Sequence, residues 1–151
     1  MNLRQVRPSD PEARPLLRGL TEEYDSRYGH QSEMTSVEAQ EFEPPDGVFL
    51  VILEHGVTVA GGAIRRLSVD TCEVKRMWTA PEHRRKGLAS KVLDALEELA
   101  RDRGYSRLRL ETGPAQPEAR ALYERRGYRN IQAYGKYEQA TAFELLLNVT
   151  T

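Results

Sequence analysis

The chain has a single cysteine, Cys72, so no disulfide can form within it. Its three histidines, His30, His55 and His83, stand far apart and give no metal-ligand spacing, so no metal is expected. Neither sign of charge prevails. Lys and Arg number 22 against 23 Asp and Glu, which excludes the basic surplus of a general nucleic-acid binder. Long apolar runs are missing too. "VFLVIL" at 48–53 falls far short of the roughly 20 residues that span a bilayer. "MNLRQVRPSD" lacks the apolar stretch of a secretory leader, so a cytoplasmic protein without a membrane partner is expected. There is no repeat, low-complexity segment or internal linker. What remains is a globular composition, 39% hydrophobic and 30% charged, in a 151-residue chain long enough to bury a core as one domain, 1–151.

Two hydrophobic periods alternate along it. "LRQV" (3–6) predicts a short strand. Ser9 and Asp10 offer an N-cap, Pro11 suits a first turn, and Leu16, Leu17, Leu20 and Tyr24 recur at helical spacing, predicting a helix over 11–28. "TSVEAQEF" (35–42) reads as a second, shorter helix, and "EPPDG" (43–47) as a break. "VFLVILEH" and "VTVAGGAIRR" flank Gly56 as a hairpin, and "CEVKRMWT" (72–79) is a further strand running towards Pro81. From Gly87 the period becomes helical, with Leu88, Val92, Leu96, Leu99 and Ala100 on one face and a stop at Gly104. "SRLRLET" (106–112) places Leu108 and Leu110 inward and Arg107, Arg109 and Glu111 outward. "PEARALYERR" (117–126) predicts a helix ended by Gly127, and "YRNIQAY" and "TAFELLL" predict two closing strands. Strand, helix and strand over 72–112 make a crossover unit, so those two strands should be parallel. The expected fold class is α/β (mixed α+β): one mixed sheet of about six or seven strands with helices on both faces.

The charge pattern around Gly87 is unusual. Arg84, Arg85 and Lys86 sit just before a helix, where the backbone is already positive and acids are the usual neighbours. Each such cation costs about 0.3–1 kcal/mol unless an anion binds there. A bound pyrophosphate reverses the sign, because the free helix amides and the cations then both bond to it. Gly87 and Ala89 are small enough for phosphate oxygens to approach the backbone. The alternative is a solvated basic turn loosely paired with Glu82. Neither GxxxxGK[ST] nor GxGxxG is present, so the nucleotide-binding loops of that type do not apply.

The segment "RMWTAPEHRRKGLA" resembles the acyl-CoA binding motif of the GNAT superfamily of N-acyltransferases. That motif is a strand, a proline, then Arg/Gln-x-x-Gly-x-Gly/Ala opening a helix, here Arg84-Arg85-Lys86-Gly87-Leu88-Ala89. The element order and "LYERRGY" (122–128) extend the resemblance over nearly the whole chain. It implies an N-acetyltransferase with acetyl-CoA as co-substrate and no metal. Amides from Arg84 to Ser90 (Arg84, Arg85, Lys86, Gly87, Leu88, Ala89, Ser90) would hold the pyrophosphate, and the backbone at Met77 and Thr79 would pair with the pantetheine arm. Gln116 stands where the family often has an asparagine that contacts the cofactor. The thioester would lie in a gap between the strand ending at Thr79 and the strand starting near Arg107.

Tyr123 matches the family tyrosine that faces the departing sulfur; its alternative is a core position. Glu73 matches a position where some members place a general base; its alternative is a pair with Lys75 or Arg65, and Glu111 or a water are the other candidate bases. Cys72 is expected to be a buried strand residue rather than a nucleophile, and Trp78 to pack against a helix. Between Gly19 and Gly47 lie eight acids (Glu22, Glu23, Asp25, Glu33, Glu38, Glu41, Glu43, Asp46) and one base, Arg27. They read either as a rim attracting a cationic amine or as solvated helix faces. The expected partner is a small-molecule amine, with a protein amine, or a non-catalytic acyl-CoA sensor on the same fold, as alternatives. A homodimer is left open.

Overall fold

In the computed structural model, which describes residues 1–28, 39–113, 117–135 and 139–147 (side chains of 24–28 aside), seven strands form one sheet. They are β1 (Asn2–Val6), β2 (Val48–Glu54), β3 (Val57–Arg66), β4 (Thr71–Thr79), β5 (Arg107–Thr112), β6 (Arg129–Ile131) and β7 (Thr141–Leu146). The helices are α1 (Arg14–Tyr28), α2 (Leu88–Asp102) and α3 (Pro117–Arg125). The strand order is β1-β2-β3-β4-β5-β7-β6. β4 and β5, joined through α2, run parallel, and every other neighbouring pair is antiparallel.

The apolar run of β2 is explained by its position. Helices cover both faces of the central strands, so residues of both parities are buried, unlike the alternation of a one-sided sheet. α2 lays Leu88, Val92, Leu93, Leu96 and Ala100 against Leu50, Ile64 and Leu108. Each of the larger side chains contributes about 2 kcal/mol by leaving water. On the opposite face Leu16 and Leu20 of α1 join Phe42, Phe49, Val51 and Trp78. α1 can approach the Trp78 indole because Gly19 carries no side chain; a Cβ there would collide with the ring. At the β2–β3 turn His55 and Gly56 both take positive φ, 52° and 79°, as a two-residue hairpin requires.

Three local expectations change. Asp10 sits at the N-cap position, but its carboxylate accepts from the Arg7 amide (2.9 Å), and residues 11–13 form a 3₁₀ turn before α1 begins at Arg14. Of the helix expected over 35–42, residues 35–38 lie outside the described set, and Ala39–Phe42 is a 3₁₀ turn that buries Phe42. Pro44 and Pro45, which cannot donate, stop any helix there. The strand expected over 128–134 is paired only from Arg129 to Ile131, because the chain then leaves the sheet to reach Glu111 of β5.

Candidate functional site

β4 and β5 pair over only three positions: Thr71 with Arg107, Cys72 with Leu108, and Glu73 with Arg109. Beyond Glu73 the pairing ends, and no described strand covers that edge of the C-terminal half of β4. The Ala80 amide donates to the Val59 carbonyl of β3 (2.8 Å). By strand alternation Trp78 also bonds towards β3, so the backbone of Met77 and Thr79 faces the opening. A bulge breaks the β3–β4 register between Gly61 and Ala63, where Arg76 adopts φ 63°. It swaps which face each side chain meets. Cys72, Val74 and Met77 turn towards α2, whereas Arg76 covers the Phe42 ring (5.1 Å) and Trp78 packs beside it on the α1 side.

Past Thr79 the chain makes a 3₁₀ turn (Pro81–His83), then a loop in which Arg85 (φ 63°) and Gly87 (φ 78°) are both left-handed. Alternation of this kind turns successive amides inward as an anion-binding nest. Lys91 is the first amide to bond back, to the Gly87 carbonyl (3.2 Å). Among the described residues nothing accepts from the six amides of Arg85 to Ser90, and no side chain caps α2. The arginine nearest the strand plays a different part. Arg84 donates through Nε to the Thr79 carbonyl (3.1 Å) and ion-pairs with Glu23 of α1, so its side chain ties the loop to the open edge and to the helix. Arg85, Lys86 and Gly87 are exposed, while the Leu88 side chain is buried and only its amide is available. Ala89, Ser90, Met77 and Thr79 are half-buried. Gln116 lies outside the described residues.

Tyr123 of α3 is 5% exposed, with its ring against Tyr128 (5.5 Å) and Phe143 (6.0 Å). Its hydroxyl has no partner among the described residues, though it is not one of the fully buried polar atoms left unsatisfied, and burial alone pushes its pKa well above the ordinary tyrosine value. Neighbouring Tyr128 instead donates to Glu97 of α2 (2.7 Å). Glu73 is almost fully buried at the fork. Its Oε1 takes Arg65 Nε at 2.9 Å and lies 3.9 Å from Lys75 Nζ, and its Oε2 accepts the Tyr134 hydroxyl at 2.6 Å. Glu111 accepts from the amides of Tyr134 (3.2 Å) and Gly135 (3.1 Å), so it clamps the β6–β7 connection onto β5. Gly135 permits that approach, since a Cβ there would run into the Glu111 carboxylate. Burial, then the charge of Glu73, pushes the Tyr134 pKa far up, so its hydroxyl keeps its proton. Cys72 is fully buried and burial pushes its thiol up to about 12, which leaves no thiolate for an acyl-enzyme route.

Four acids of the 19–47 stretch each meet an arginine: Glu23 with Arg84, Glu41 with Arg65 (2.8 Å), Glu43 with Arg7 (3.6 Å) and Asp46 with Arg66 (3.3 Å). Glu33 and Glu38, and the side chains of Asp25 and Arg27, lie outside the described set.

Beside this β4 edge and the helix mouth, the model of the acetyltransferase (GNAT) family matches residues 15–128. The chain belongs to the GNAT family. Among GNAT relatives, the "IAA acetyltransferase" of Azospirillum brasilense is 35% identical over 78% of this chain and 80% of its own length. The uncharacterized N-acetyltransferase YjgM of Escherichia coli is 38% identical over 61% of this chain. That match spans 57% of YjgM, so the chain covers little more than half of this relative's length. A solved Klebsiella pneumoniae structure, classed as an acyl-CoA N-acyltransferase, superposes with a TM-score of 0.80 at 31% identity, covering 97% of both chains. The PaiA N-acetyltransferase of Thermoplasma acidophilum, solved with coenzyme A, shares the fold at a TM-score of 0.72 and 15% identity over 97% of this chain and 99% of its own.

Sequence reasoning missed three features of this region. Tyr134 arrives from a connection remote in the chain and carries no local motif. Arg109 read simply as an outward strand residue. The Arg76 bulge left one trace, the adjacent Gly61 and Gly62 opposite it, since paired glycines inside a strand mark a bulge or a close approach. Among the described residues no group of acids, cysteines and histidines could hold a metal, and no helix is long and apolar enough to cross a membrane.

Proposed function

We propose that this chain transfers an acetyl group from acetyl-CoA to a primary amine of a small molecule, by direct attack of the neutral amine on the thioester. The observation that carries the reading is the pairing of two features among the described residues: the β4 edge at Met77 and Thr79 with no neighbouring strand, and the six amides from Arg85 to Ser90 with no acceptor. Those amides hold the pyrophosphate, with the Arg84 amide at the loop's start and the charges of Arg85 and Lys86 beside it. Met77 and Thr79 receive the pantetheine arm as an added strand. The acetyl group then sits in the fork above Glu73 and Arg109. Gln116 keeps its place as a contact to the cofactor. The composition favours a cytoplasmic setting.

At neutral pH only about one primary amine in two thousand is unprotonated, so the site must take a proton as well as position the nitrogen. Glu73 is that acceptor, through an intermediary. Its Oε2 is occupied by the Tyr134 hydroxyl, so the amine gives its proton to the Tyr134 oxygen as that hydroxyl passes its own to Glu73. Tyr134 ends neutral, and Glu73 ends protonated. The oxyanion meets a backbone N–H of the open strand, and the Tyr123 hydroxyl, which has no partner among the described residues, hydrogen-bonds the departing thiolate. No covalent enzyme intermediate forms.

The test is turnover. The protein is incubated with acetyl-CoA and an amine panel, free thiol is followed, and coenzyme A binding is measured separately by calorimetry. Amine-dependent thiol release supports the reading. Coenzyme A binding with no turnover on any amine would instead indicate a sensor of acyl-CoA.

A further inference from the structure

The acceptor side of the fork carries a cation with unused donors. Arg109 is the last β5 residue paired with β4, and its side chain leaves the sheet on the face away from α2, since Leu108 and Leu110 point into the α2 core. Nε donates to Glu144 (2.8 Å), and the guanidinium lies 5.7 Å from the Tyr134 ring centre. The side chain is about one-third exposed at 32%, and among the described residues nothing accepts from its two terminal nitrogens. The Tyr134 ring beneath it is the one whose hydroxyl bonds Glu73. A planar fork of donors therefore stands next to the proton path.

The acids around it are already engaged. Glu73 bonds Arg65 and Tyr134, and Glu111 bonds two amides of the β6–β7 connection. Glu144 is shared by Arg107, Arg109 and Arg129, three cations on one carboxylate. Of the eight acids in the 19–47 stretch four are engaged by arginines, Glu22 is exposed, and the other three side chains lie outside the described residues. Among the described residues beside the fork, Arg109 keeps donors to spare.

We propose that the acceptor is an amine that also carries a carboxylate, an amino acid or a close derivative, and that Arg109 clamps the carboxylate while the amine faces Tyr134. This rests on the acetyltransferase reading and names its substrate class. A guanidinium offers two parallel N–H donors at carboxylate spacing, which a lysine cannot reproduce. Its seat on Tyr134 fixes the plane of the fork in advance, so little freedom is lost on binding.

The experiment compares matched pairs: each amino acid against its own carboxamide, with thiol release giving kcat/KM. The carboxamide's amine is the less basic, so intrinsic reactivity works against the expected result. Wild type should favour the carboxylate member of at least one pair by roughly 10- to 100-fold, the range of charged hydrogen bonds. Arg109→Gln and Arg109→Lys should each pull that ratio towards unity. Arg129→Gln, which removes an exposed arginine on the same Glu144, should leave it in place. Coenzyme A calorimetry on the same preparations separates the two failures. Absence of coenzyme A heat, or heat with no turnover of any amine, defeats the acetyltransferase reading itself. With heat and turnover both present, equal rates within every pair, no turnover of any carboxylate-bearing amine, or an unchanged ratio in both Arg109 variants overturns the substrate class.

Discussion

Replacing Tyr123 by phenylalanine should cost catalysis while leaving stability nearly unchanged. The ring would keep its contacts to Tyr128 and Phe143, since neither depends on the hydroxyl. What disappears is one hydroxyl, on a residue 5% exposed, that bonds nothing among the described residues and is not one of the fully buried polar atoms left unsatisfied. With no buried bond lost and no unsatisfied group removed, the change in stability should stay within about 0.5 kcal/mol, or about 2 °C in Tm. The same hydroxyl is assigned to the departing thiolate. Loss of one donor aimed at developing charge in a closed site costs about a hundredfold in kcat. KM for acetyl-CoA should barely move, because the contact strengthens only as the thiolate forms. Thermal melts and initial rates of thiol release on one preparation read both numbers. A Tm that falls by several degrees would mean that the hydroxyl has a partner in the fold, and an unchanged kcat would remove it from the chemistry.

Three further outcomes follow from neighbouring residues. Tyr128→Phe strips a hydrogen bond from the buried Glu97 carboxylate, so it should destabilise by about 1.5–3 kcal/mol in urea melts while kcat holds, the reverse of its stacked neighbour. Gly87→Ala meets no atom within 4 Å, yet it forces φ 78° on a side chain at about 1–2 kcal/mol, so the fold should survive while the coenzyme A Kd rises about tenfold or more by calorimetry. Burial alone would raise the Glu144 pKa, but Arg109 and Arg107 outweigh it and hold the carboxyl below its ordinary range. Its contribution is therefore complete above the unfolded value near 4.3 and fades as pH falls through the folded value, so Glu144→Gln should flatten the acid limb of the stability profile.

The sequence carried the architecture because the fold is built from strong local periods. Alternation in "SRLRLET" and the helical face from Leu88 to Ala100 each survive into the sheet and the α2 core. The strand–helix–strand crossover then left the parallel pair little choice of partner. The loop proposed to hold the pyrophosphate drew notice through a local conflict, three cations at an already positive helix end. The acceptor side was not. Its parts come from β3, β4, β5 and the β6–β7 connection, and only the order β5-β7-β6 brings Tyr134 over Glu73. Side-chain parity also failed as a guide past Lys75, because the bulge at Arg76 shifts the alternation by one residue and no periodic rule announces it. The 39–42 part of the helix read over 35–42 and the strand read over 128–134 missed for the same reason. Tertiary bonds, the burial of Phe42 in one case and the Glu111 clamp in the other, decided the backbone against local pattern.

The most direct test is a titration of ¹⁵N-labelled protein with coenzyme A, read amide by amide. The largest shifts should fall on Arg85, Lys86, Gly87, Leu88, Ala89 and Ser90, with a second group at Met77 and Thr79 along the open β4 edge. Saturable binding whose shifts bypass both segments, or no binding at all, would contradict the account.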